Sequence, residues 1–138
     1  MVTARRILLV DDEVPLLRLI ESFLIRNGYI IEAFEQPLQA LAQFGTDPGR
    51  FSLVVADVTM PQLSGVELVR RLAELSTDVH MLLLSGLPFN INQFPETIRG
   101  RVDFLQKPFL PGMLLEAVRR IEARMPTPAK PQASESAC

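Results

Sequence analysis

The stretch Ser52-Leu53-Val54-Val55-Ala56-Asp57-Val58-Thr59-Met60-Pro61 decides the fold. Leu53 to Ala56 is a short, unbroken apolar run with two β-branched residues, suited to the central strand of a parallel sheet covered on both faces. Pro61 stops the strand. The run therefore ends on one acid, Asp57. Open α/β sheets bind their ligands outside the carboxyl ends of the strands, so a carboxylate at this exit is placed for chemistry. A turn or helix-cap aspartate is the plain alternative, and the other strand ends decide between the two.

Working outward, Ile7 to Val10 is a second apolar run, and it ends on Asp11-Asp12-Glu13. From Val14 to Asn27 the residues Leu16, Leu17, Ile20, Phe23 and Leu24 recur at helical spacing, with Pro15 in the first turn and Gly28 after the last. Tyr29 to Phe34 reads as a strand, and Pro37 opens a helix that carries Leu38, Leu41 and Phe44 and stops at Gly45. Asp47-Pro48-Gly49 is turn chemistry. Beyond the central strand, Gly65 to Leu72 predicts a helix with Val66, Val69 and Leu72 facing inward. Val79 to Leu84 is a strand ending on Ser85-Gly86, and Val102 to Gln106 is another ending on Lys107-Pro108. Gly112 to Met125 closes the series as a helix with Leu114, Leu115, Val118 and Ile121 on its apolar side. Alternating strands and helices imply the α/β class: a doubly wound, five-stranded parallel sheet with right-handed crossovers and helices on both faces.

The 138 residues fit one domain, residues 1–125. Residues 126–138 lack apolar periodicity and read as a disordered tail or linker stub. A net charge of −2 supplies no clustered cations for a nucleic-acid backbone. No apolar run is long enough for a membrane span. The one cysteine, Cys138, permits no intrachain disulfide, which suits a reducing cytoplasm.

With strands one, three, four and five ending on Asp11-Asp12, Asp57, Ser85 and Lys107, three carboxylates converge at one edge of the sheet. Like charges about 4 Å apart repel by roughly 4 kcal/mol at an effective dielectric near 20, so the cluster calls for a cation. Oxygen ligands favour Mg²⁺, which keeps several waters and suits a site that handles phosphoryl groups. Lys107 would add a point charge and Ser85 a hydroxyl for phosphoryl oxygens, with Asp57 as nucleophile. Taken singly, each residue has a plainer reading: Asp12 as a helix cap, Glu13 as a first-turn acid, Ser85-Gly86 as a turn, Phe104 as core.

The joint pattern of Asp11-Asp12, Asp57 with Met60-Pro61 and Ser64-Gly65, Ser85-Gly86, and Lys107-Pro108-Phe109 resembles the receiver domain of two-component response regulators over roughly residues 5–125. The resemblance implies the flavodoxin-like strand order 2-1-3-4-5. It implies that Asp57 accepts a phosphoryl group from a histidine kinase or histidine phosphotransfer protein. It further implies that Asp11, Asp12, Asp57 and the Thr59 carbonyl hold Mg²⁺, Asp11 through water. Ser85 and Lys107 would bind the phosphoryl oxygens, Phe104 would be the switching aromatic, and the Lys107–Pro108 bond would be cis. The wording is similar to receivers attached to the carboxyl end of hybrid histidine kinases, and a free-standing regulator is an equally open alternative.

Two departures stand out. Phe104 lacks the hydroxyl of a tyrosine. Leu87 to Gly100 carries Pro88, Asn90, Asn92 and Pro95 where the family has its fourth helix, so that helix should be short or irregular. A segment so poorly supported should open locally at low free energy, after which Phe89, Ile91, Phe94 and Ile98 could repack or meet a partner, and the chain would be a monomer or a weak dimer. Two rival functions fit less well. A haloacid-dehalogenase-type phosphohydrolase expects a second acid where Thr59 stands, and a flavodoxin-like FMN binder would have its phosphate repelled by Asp11-Asp12-Glu13.

Overall fold

The computed structural model describes residues 5–125. In chain order its elements are β1 (Arg6–Val10), α1 (Val14–Arg26), β2 (Ile30–Phe34), α2 (Pro37–Thr46), β3 (Leu53–Asp57), α3 (Gly65–Leu75), β4 (His80–Ser85), α4 (Glu96–Arg99), β5 (Val102–Gln106) and α5 (Pro111–Ala123). All strand pairs are parallel and the order is β2-β1-β3-β4-β5, as the resemblance implies. The tail assigned to residues 126–138 lies outside the described residues.

An unbroken apolar strand is two half-patterns, because successive side chains point to opposite faces. Leu8, Val10, Val54, Ala56, Met81 and Leu83 face Ala40 and Phe44 of α2 and Leu68, Val69 and Leu72 of α3. Ile7, Leu9, Leu53, Val55, Leu82 and Leu84 face Leu17, Ile20 and Leu24 of α1 and Leu114, Val118 and Ile121 of α5. The sheet thus separates two cores. Central β3 is buried along its whole length, which explains why its sequence does not alternate.

Local chemistry sets the boundaries. Gly28, at φ +97, takes the left-handed conformation that closes α1, and its N–H donates to the Ile25 carbonyl at 3.1 Å. Ser64 caps α3 by accepting from the Glu67 N–H at 3.2 Å. Gly65 is required for packing, since a Cβ there would lie 2.6 Å from the Asp57 carbonyl oxygen and 2.8 Å from the Val58 Cα. Nothing longer than a hydrogen fits between α3 and the end of β3.

Each edge of the sheet carries a carboxylate held by arginine. On β2, Glu32 pairs with Arg6 at 3.0 Å and Arg50 at 2.8 Å, and on β5, Asp103 pairs with Arg124 of α5. Among the described residues no helix is long and apolar enough to cross a membrane.

The segment Leu87–Gly100 is irregular, as its prolines predict. A single 3₁₀ turn (Ile91–Gln93) precedes α4, which is one turn of four residues, and Pro95 sits just ahead of that turn as its N-cap. In the folded state the apolar residues of this segment are packed. Phe94 is 1% exposed and among the largest fully buried side chains, and Phe89, Ile91 and Ile98 pack against the same core. Burying one aromatic side chain replaces the helix as the anchor, because apolar area removed from water stabilises whatever the backbone geometry.

Candidate functional site

The topology delivers Asp11, Asp57, Ser85 and Lys107 to the carboxyl edge of four adjacent strands. Asp57 ends β3 opposite Leu84, and Ser85 ends β4 opposite Gln106, one residue before Lys107. Asp11 follows β1 and is anchored there by its own N–H, which donates to the Phe34 carbonyl at 3.2 Å.

Carboxylate oxygens of Asp11, Asp12 and Asp57 all lie within 4.8 Å of one another. Asp11 is fully buried, Asp57 is 6% exposed, and Asp12 is open to solvent. Burial pushes the Asp11 carboxyl up to about 6; the Glu13 N–H, donating to its Oδ1 at 2.9 Å, and the charge of Lys107 offset only part of that rise. Asp12 is not the helix cap that its position suggests, because Glu13 occupies the N-cap position of α1. Thr59, two residues past Asp57, donates its backbone N–H to Asp57 Oδ1 at 3.3 Å. The donor set is hard oxygen, dense in negative charge and partly desolvated, so it fits a small divalent cation.

Lys107 is the counter-charge. Its Nζ lies 2.7 Å from Glu13 Oε1, 3.2 Å from Asp57 Oδ2 and 3.5 Å from Asp11 Oδ2. Burial alone would lower the lysine pKa, but the Glu13 hydrogen bond and the charges of Asp11 and Asp57 outweigh it, and the net direction is upward. The Lys107–Pro108 peptide is cis.

Ser85 is 5% exposed and turned inward on its own loop: its hydroxyl donates to the Leu87 carbonyl at 3.0 Å and accepts from the Leu87 N–H at 3.1 Å. Phe104 is half-buried, its ring stacked on Phe89 with centroids 5.5 Å apart and an interplanar angle of 21°. Phe89 in turn meets Phe94 at 6.0 Å. The loop between β3 and α3 bends sharply at Gln62, a non-glycine residue at φ 70, where the Leu63 N–H donates to the Pro61 carbonyl at 2.7 Å.

Two participants were not legible beforehand. Glu13, read as a first-turn acid, makes the shortest contact to Lys107, and Phe89 covers Phe104. A third acid after β1 was the available signal for Glu13, but nothing in its spacing says that it reaches across to the end of β5.

Comparisons with known proteins give the family. The response regulator receiver domain family matches residues 7–119, and the chain belongs to that family. It is 32% identical over 115 residues to the transcriptional regulatory protein FixJ of Rhizobium meliloti (strain 1021), covering 81% of this chain and 54% of that protein. It is 26% identical over 118 residues to the chemotaxis protein CheY of Bacillus subtilis (strain 168), covering 85% of this chain and 97% of that protein. The crystal structure of FixJ-N superposes with a TM-score of 0.73 at 28% identity, covering 90% of this chain and 98% of that one. The receiver domain of the hybrid histidine kinase CckA gives 0.72 at 25% identity, covering 84% and 97%. The chain spans about half the length of FixJ and of the response regulator RppA of Synechocystis sp. (strain ATCC 27184 / PCC 6803 / Kazusa).

Proposed function

We propose that Asp57 is the phosphoacceptor of this receiver domain. A carboxylate oxygen of Asp57 attacks the phosphorus of a phosphohistidine on a histidine kinase or phosphotransfer protein. The new O–P bond forms as the P–N bond breaks, and the imidazole leaves and takes up a proton. Asp11, Asp12, Asp57 and the Thr59 carbonyl are the residues that would hold Mg²⁺, which when bound neutralises charge on the cluster and on the phosphoryl oxygens. The observation that carries this reading is the meeting of three carboxylates and one lysine at the strand ends, with Asp57 at the exit of the central strand.

The resting hydrogen bonds define what phosphorylation must change. Ser85 has to exchange its Leu87 partners for a phosphoryl oxygen, and Lys107 has to give up carboxylate contacts for another. Those new contacts exist only in the modified state, so they shift the conformational equilibrium. Phe104, held under Phe89, is the ring placed to register the shift at the surface. The chain catalyses its own phosphorylation and dephosphorylation and no other reaction, in the cytoplasm. Thr59 leaves no general acid at the position a phosphoester hydrolase would use.

The test is intact-mass measurement after incubation with acetyl phosphate. A phosphoryl adduct should form on wild type with Mg²⁺ and be absent in EDTA and from Asp57→Asn. An adduct that persists in Asp57→Asn would overturn the assignment.

A further inference from the structure

Lys107 has three ammonium hydrogens, and three carboxylates occupy them: Glu13 at 2.7 Å, Asp57 at 3.2 Å and Asp11 at 3.5 Å. The lysine is therefore saturated in the resting state. Asp11 and Asp57 belong to the group of acids that could hold a cation, whereas Glu13 does not. Among the described residues, the Glu13 side chain makes no hydrogen bond other than the one to Lys107. It stands at the N-cap of α1 without making a side-chain capping bond, and its side chain is 61% exposed, so it is free to leave without breaking packing. Its backbone, by contrast, is fixed: the N–H donates to Asp11 Oδ1, and the carbonyl accepts from Leu17 N–H at 2.9 Å. A mobile carboxylate on a fixed backbone, holding the shortest contact to the lysine, has the arrangement of a releasable restraint.

We propose that Glu13 is a positioning residue that holds Lys107 in the resting state, and that its ion pair must be broken before the lysine can serve a phosphoryl group on Asp57. This inference rests on the phosphoacceptor reading of the site and adds to it a competitor. Glu13 and the phosphoryl oxygens draw on the same ammonium, so the strength of the Glu13 contact subtracts from the stability of the modified state. The direction is counter to the usual expectation for a salt bridge near a site. Losing Glu13 should make activation easier.

Two variants separate this restraint from simple charge relief. Glu13→Gln removes the charge. Glu13→Asp keeps the charge but shortens the side chain by one methylene, and aspartate at an N-cap turns back to the helix N–H groups, away from Lys107. Beryllofluoride with saturating Mg²⁺ is the probe, because it mimics a phosphoryl group without being consumed. Its half-saturating concentration should fall about fivefold in both variants, as loss of one partly exposed ion pair from the competing resting state implies. Lysine labelled at Cε gives a second readout, since Lys107 and Lys130 are the chain's lysines. The Lys107 signal should shift in both unliganded variants and converge with wild type once beryllofluoride is bound. An unchanged midpoint in Glu13→Gln overturns the proposal, and so does a fall in Glu13→Gln that Glu13→Asp does not share. Failure of wild type itself to bind the probe would instead overturn the phosphoacceptor reading.

Discussion

Burial and charge conflict most directly at Asp11, a fully buried acid beside Asp57 whose carboxyl is pushed up to about 6 from its ordinary 3.8. A raised carboxyl pKa means that the fold favours the neutral acid. Its contribution to stability is complete below pH 3.8 and is lost as pH rises through 6. In EDTA, Asp11→Asn should therefore come close to wild type near pH 4 and exceed it near pH 7.5 by about 3 kcal/mol. Urea unfolding at the two pH values measures this, and a gap that does not grow with pH would contradict it. Mg²⁺ should narrow the gap, because a bound cation restores the value of the charged form. Residue identities at the strand ends were legible because each follows an apolar run. The partners of Glu13 and Ser85 were not, since hydrogen bonds between loops from different strands leave no periodic trace in the sequence.

Among the elements, the five strands and four longer helices were legible from periodicity, with ends shifted by a few residues. Residue 79 falls just before β4, which runs on to Ser85, and α3 extends to Leu75. The segment before β5 divides into a part that could be read and a part that could not. Prolines forbid a long helix there, and α4 is one turn. Which of its apolar side chains is buried does not follow, because an irregular backbone has no repeat to project onto a face. Phe94 is the anchor, and its loss should behave as a core truncation in spite of its loop position. Phe94→Ala should cost about 3 to 5 kcal/mol and raise amide exchange from Ile91 to Arg101 above that of β3. A cost typical of an exposed loop residue, below about 0.5 kcal/mol, would show that the segment is held some other way.

For the whole molecule, the parallel sheet covered on both faces followed from the sequence and its strand order from the family resemblance, while the surface did not. In receivers generally the fourth helix, fifth strand and fifth helix form the face that meets a dimer partner or output domain. Here the fourth helix of that face is a single turn, and Phe89 is committed to Phe104 and Phe94. The chain should sediment as a monomer or weak dimer with and without beryllofluoride, and a tight activation-dependent dimer would refute this. The same runs bear on the arginine-held carboxylates of β2 and β5. A row of unpaired backbone groups on an outer strand is an invitation to another chain. Glu32 and Asp103 put a charge on each outer strand, and adding a foreign strand there would bring those charges up against its side chains. Replacing both with valine should let the protein polymerise edge to edge at concentrations where wild type stays clear. The two arginine-held carboxylates are thus a guard on solubility, whatever little their ion pairs add to the stability of one folded copy.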